Sequence, residues 1–184
     1  SSPAPLPVEI HLAVKRGELQ KVIKWLRKGG LIDAAHCGTT VDGQASTFAM
    51  LHTATVSGNL EMVRMLLKQG ADVDLPSSLG MTALMAAAGD GQLSCLFVLL
   101  QHSANPDLQD CQGFTPLMLS ATAGQEACVM ALLRAKANPE FVDEYGVTAL
   151  QFAEACGHTT VAELIRQHSA PPQPAAASPA APPD

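Results

Sequence analysis

Three stretches decide how this chain folds: Gly80-Met81-Thr82-Ala83-Leu84-Met85-Ala86-Ala87-Ala88, Gly113-Phe114-Thr115-Pro116-Leu117-Met118-Leu119-Ser120-Ala121 and Gly146-Val147-Thr148-Ala149-Leu150-Gln151-Phe152-Ala153-Glu154. Their glycines lie 33 residues apart, and each threonine follows its glycine by two positions. A second series, Gly58, Gly91, Gly124 and Gly157, keeps the same period. Two series in one register mark an internal repeat, and a period of this length means stacked units rather than one globular core.

Outward from these stretches the pattern continues toward the front of the chain. Ala49-Met50-Leu51-His52-Thr53-Ala54 leads to Gly58, and Val8-Glu9-Ile10-His11-Leu12-Ala13 leads to Gly17, which makes five units. The step from Gly17 to Gly58 is 41 residues, so eight are inserted between the first two units, within residues 35–48. An insertion of that size breaks stacking if it falls inside a helix pair. It predicts an enlarged, mostly solvent-exposed finger.

Each repeated position has a physical reason. A threonine oxygen accepts a hydrogen bond from a free N–H at a helix start, and Pro116 suits a first helical turn. The short helix that follows is rich in small residues, which lets the next unit approach closely. The glycine after it supplies the positive φ that stops a helix. A second helix carries apolar residues at spacings of three and four, as in Met62, Val63, Leu66 and Leu67, or Cys95, Leu96, Leu99 and Leu100. Turn formers such as Asp110-Cys111-Gln112-Gly113 lead back. The unit is turn, helix, helix, and the fold predicted is all-α, with ten helices in five antiparallel pairs joined by β-hairpin-like fingers.

Period, glycine pair, Thr-Pro-Leu position and paired helices together resemble the ankyrin repeat. The resemblance covers residues 8–168 and gives repeats at about 8–34, 49–75, 80–108, 113–141 and 146–168, within a domain of residues 8–170. Residues 1–7 form a Pro-containing lead, and 171–184 a tail of almost only Pro, Ala and Ser that cannot bury a core. The histidine of the family's Thr-Pro-Leu-His motif is present as His11 and His52, where the resemblance implies a structural, hydrogen-bonding strut. Met85, Met118 and Gln151 replace it elsewhere. The glycine that ends the second helix survives as Gly70 but is Ser103 and Lys136 in the next two units.

Units at the ends of such stacks need a polar outer face. Glu154 and Arg166 stand where inner units have Ala88 and Leu100, and Lys21 stands where others have Met62, Cys95, Cys128 and Val161. The expectation is a finished five-unit domain.

Composition narrows the function. Of 184 residues, 47% are hydrophobic, 4% aromatic and 15% charged, which suits closely packed small helices. The net charge is −6, yet six of the eleven basic residues lie within the first 28 positions, opposed only by Glu9 and Glu18. Lys21, Lys24, Arg27 and Lys28 recur at helical spacing, as a solvated end face or a surface for an anionic partner. The acidic remainder argues against nucleic acid. No apolar run reaches the roughly 20 residues of a membrane span, and no basic-then-apolar signal opens the chain. The chain starts Ser1-Ser2-Pro3, so a removed targeting peptide would leave no trace. An intracellular, soluble, cytoplasmic protein is expected.

No CxxC pair, Gly-rich phosphate loop, nucleophile elbow or HExxH motif is present. Cys95 and Cys128 share one buried helix position and read as small core residues, whereas Cys111 and Cys156 should be more exposed. His36 and Cys37 are adjacent without a second pair at ligand spacing. No enzyme, cofactor or metal is expected. The resemblance implies instead a concave surface of turn tips and first helices that binds a protein partner. The positions it assigns there are Leu79, Met81, Gly89 and Asp90; Cys111, Gln112, Phe114, Leu119, Thr122 and Ala123; and Glu144, Tyr145, Val147, Phe152, Ala155 and Cys156. Met81, Phe114 and Val147 share one register position and should form a row, with Asp90 and Glu144 at its polar rim. Leu119 and Phe152 are equally suited to packing between units. The alternative is an accessory subunit held in a larger assembly, with the tail as anchor.

Overall fold

The computed structural model describes residues 5–39 and 45–169. Ten helices appear among them: α1 (Val8–Arg16), α2 (Leu19–Arg27), α3 (Met50–Val56), α4 (Leu60–Lys68), α5 (Ala83–Gly89), α6 (Leu93–Gln101), α7 (Pro116–Thr122), α8 (Glu126–Arg134), α9 (Ala149–Ala155) and α10 (Thr159–Ser169). One antiparallel hairpin, β1 (Ala35–Thr39) with β2 (Ala45–Ala49), stands between α2 and α3. Consecutive helices pair, and the pairs stack into an ankyrin solenoid. The odd-numbered helices form one layer, each packed on the next, and the even-numbered helices form the other. The core lies between them and is built from small residues of the first layer, such as Ala87, Ala88 and Ala121, and larger ones of the second, such as Leu66, Leu99 and Leu132.

The predicted caps form. Thr82 Oγ1 accepts from the Met85 N–H at 3.3 Å, and Met85 Sδ accepts from the Thr82 N–H at 3.4 Å. Thr115 with Met118 and Thr148 with Gln151 repeat this reciprocal arrangement at α7 and α9. The residues that replaced the family's histidine therefore close the helix start themselves. Helix α3 begins differently: its N-cap is Ala49, without a side-chain cap. The backbone there is held by the hairpin, in register from Ala35 opposite Ala49 to Thr39 opposite Ala45.

The finger glycines have a cause beyond the turn itself. Gly80 and Gly113 have φ of 81° and 85°, and a Cβ on them would lie 2.8 Å and 2.9 Å from the Cα of Asp110 and Asp143 in the next finger. Each finger thus leans on its neighbour, and the Cys111 N–H donates to the Leu79 carbonyl and the Glu144 N–H to the Gln112 carbonyl. Ser103 and Lys136 take the left-handed conformation of the glycines they replace, with φ of 65° and 64°. At the outer faces Lys21 pairs with Glu9 at 2.8 Å, and Arg166 pairs with Glu154.

One expectation needs correction. Among its residues of described burial the insertion is not mostly exposed: Ala35 and Ser46 are buried, His36, Gly38, Thr47 and Phe48 are half-buried, and Cys37 and Ala45 are exposed. A strand alternates its faces, so one side of this hairpin is covered by the helices beneath it. Residues 40–44 of the insertion, the start of the lead and the tail lie outside the described residues.

Candidate partner-binding groove

The first layer presents a row of short helices toward the fingers, and what stands at each position of that row shapes the surface. At the middle of the row α5 carries Ala86 and Gly89, the smallest side chains available. They are flanked by Thr53 and Val56 of α3 on one side and by Leu119 and Thr122 of α7, with Ala123 just after it, on the other. The result is a groove of about 1010 Å³ whose floor lies on α3 and α5. Its wall is the hairpin together with Met81, which bring His36, Gly38 and Phe48 to the groove; its opposite lip holds Lys15, Ser57 and Asp90. Val56 is 45% exposed, high for a valine on a packed helix.

The hairpin is seated through rings. His36 stacks on His11 with centroids 4.1 Å apart, and Phe48 stacks on His52 at 4.6 Å. Burial drives the His52 imidazole down to about 4, and the same cause, followed by the neighbouring His36 and Lys15, lowers His11. Removing water from an imidazolium costs more than from the neutral ring. Both rings line the groove, and neither His11 Nδ1 nor His52 Nε2 has a hydrogen-bond partner among the described residues. The implied strut role is thus not what these nitrogens perform: the two histidines are flat supports for the hairpin. Burial likewise pushes the Asp90 carboxyl up, and the Cys95 and Cys128 thiols.

Of the assigned positions, Met81, Gly89, Asp90, Leu119, Thr122 and Ala123 come together in the groove. Leu79, Gln112, Glu144, Tyr145 and Val147 belong to fingers beyond its described lining, Tyr145 being 79% exposed. Phe114 and Phe152 are half-buried against the core and lie ring to ring at 5.2 Å, and Met81, Phe114 and Val147 are all half-buried. His11, Lys15, His36, Phe48, His52 and Val56 were missed. The register that singled out Gly89 and Thr122 also singles out Lys15 and Val56, once the 41-residue step is allowed for. The hairpin residues carry no such signal. Among the described residues no group of three or more His, Cys, Asp or Glu is placed to hold a metal ion. No described helix is long and apolar enough to cross a membrane.

A family model described as ankyrin repeats (3 copies) matches residues 10–110 and 84–174. The chain is similar to a putative ankyrin repeat protein of Fowlpox virus (strain NVSL), 37% identical over 70 residues, which is 38% of this chain and 15% of the relative. It is also similar to protein phosphatase 1 regulatory subunit 27 of Mus musculus, 35% identical over 78 residues, or 42% of this chain and 46% of the relative. The matches thus span less than half the length of either relative.

Proposed function

Because the chain belongs to the ankyrin-repeat family, we propose that it is a non-catalytic, five-repeat scaffold that docks a protein partner in the groove between the hairpin and helices α1, α3, α5 and α7. Ankyrin repeats generally mediate protein–protein interaction. The observation that carries the reading to this particular surface is the depression over Ala86 and Gly89, an apolar floor ringed by Val56, Met81 and Leu119. Side chains that fit such depressions are the usual anchors of an interface. The partner is a protein, neither nucleic acid nor membrane. A role as regulatory or accessory subunit is compatible with this reading, and the name of the mouse relative supports it.

Gly89 gives a direct test. It is helical with no positive φ, and a Cβ there would meet only Leu119 Cβ, at 3.8 Å. Gly89→Leu therefore fills the depression from within while adding a better helix former. Captured side by side from the same cell extract, partners held by the native chain should be lost from Gly89→Leu. The thermal midpoint should be unchanged or higher. Equal retention by both proteins overturns the groove as the docking surface.

A further inference from the structure

The groove is apolar, yet one charge of each sign stands on it, and the two are far apart. Lys15 projects from α1 and Asp90 follows the end of α5, with α3 between them. Among the described residues neither is within ion-pair distance of an opposite charge. Of the other cations of the first unit, Arg16 and Lys21 are engaged by Glu9 and Glu18, while Lys24, Arg27 and Lys28 lie outside the groove lining. We propose that the groove takes an extended peptide segment with a large apolar residue seated over Gly89, a basic residue beside it on Asp90, and an acidic residue on Lys15. This inference rests on the groove being the docking surface.

The spacing follows from the layer. Packed helices lie about 8–10 Å apart, so two steps from α1 to α5 separate the charges by roughly 16–20 Å. An extended chain advances about 3.3 Å per residue, which places the acidic and basic residues of the ligand about five or six positions apart. A helical segment, rising about 1.5 Å per residue, would need about 11–13 residues between the same two charges. Polarity follows as well: the depression over Gly89 adjoins Asp90, so the apolar anchor neighbours the basic residue and not the acidic one. Asp90 is exposed at the groove edge, where the surrounding surface raises its carboxyl by partial desolvation and leaves it open to a cation on the ligand.

The experiment is selection of a phage-displayed random dodecapeptide library on the purified full chain, followed by titration of synthetic copies of the recovered peptides. The expected peptides carry one acidic and one basic residue at this spacing, with a large apolar residue next to the basic one. Their affinity should fall about two- to fivefold with Asp90→Ala, the loss of one exposed ion pair at the groove edge. A peptide with its basic residue exchanged for glutamate should recover affinity on Asp90→Lys, and one with its acidic residue exchanged for lysine on Lys15→Glu. Recovered peptides that are displaced by Gly89→Leu but lack the charge pattern, or that ignore both charge reversals, overturn this inference and leave the groove reading standing. Peptides indifferent to Gly89→Leu, or no enrichment at all, overturn both.

Discussion

Helices α5, α7 and α9 begin alike, and α3 does not. The first three close on themselves: a threonine oxygen and the side chain three residues later exchange hydrogen bonds with the backbone, and the start of the helix needs nothing from outside. Helix α3 has alanine at its cap and histidine in the reciprocal position, and its entry is held by a strand paired to another strand. The histidine side chain, spared from capping in the manner of Met85 and Met118, lies flat beneath Phe48. The groove lies beside this exception, where the hairpin supplies His36, Gly38 and Phe48 to its wall. A repeat gives a regular surface, and a recess needs a departure from the repeat.

The comparison is broken most forcefully through pH. His52 is held at about 4 by burial, against about 6.5 in an unfolded chain. Between those values the unfolded state binds the extra proton, so stability falls as pH drops through that window and is intact above it. The expected loss between pH 7 and pH 4 is about 3 kcal/mol from this residue. His52→Met installs the residue that Met85 and Met118 supply at the same position, and should remove that part of the slope. Urea unfolding of both proteins at pH 7, 5.5 and 4 isolates the contribution, since all other titrations cancel in the difference. Parallel slopes would mean that the ring is not buried beneath the hairpin.

The next effect lies in the regular half. Register placed Phe114 in a binding row with Met81 and Val147, and its half-buried ring also packs against Phe152 of the next unit. A fully buried phenylalanine costs about 3–5 kcal/mol on truncation, so Phe114→Ala should cost about 2 kcal/mol and lower the thermal midpoint by about 4–8 °C. Affinity for groove-binding peptides should stay within about twofold, because the pair lies outside the groove lining. A large loss of affinity with an unchanged midpoint would favour the row over the ring contact.

These two residues show what was legible. The fold was readable because a 33-residue period is overdetermined: glycine and apolar spacing agree in every unit, and the cap threonine in three of the five. The hairpin was not, because Ala35–Thr39 and Ala45–Ala49 show no regular alternation and only one β-branched residue each, and eight inserted residues carry no register. The groove was readable at α5 and α7, where Met81, Gly89, Asp90 and Leu119 follow the period. It was hidden at α1 and the hairpin, where His11, His36 and Phe48 gain their places through ring stacking across the insertion. The Phe114–Phe152 contact was hidden for a related reason: a repeat position tells which residues share an environment but not how much of it the neighbour covers.

The smallest effect compares the two halves at their other edge, where the second helices end, and there the irregular half is the relaxed one. Helices α2 and α4 are followed by Gly29 and Gly70 at positive φ, whereas α6 and α8 are followed by Ser103 and Lys136 in the same conformation. The hydrogen bonds are the same in either case: Ala71 N–H reaches the Leu66 carbonyl, Ala104 the Leu99 carbonyl and Ala137 the Leu132 carbonyl, at 3.0–3.1 Å. Both replacement side chains are exposed, so no packing compensates the conformation. A residue with a Cβ incurs about 1–2 kcal/mol in the left-handed region, and glycine returns about 0.4–1 kcal/mol of that through the freedom it adds to the unfolded chain. Ser103→Gly and Lys136→Gly should therefore each stabilise by about 0.5–1 kcal/mol, read as a higher urea midpoint at unchanged slope. Sited away from the groove lining, they should leave peptide affinity as it is. If either substitution destabilises, its side chain is making a contact that offsets the strain, and the second-layer edge of the regular half is held differently from that of α2 and α4.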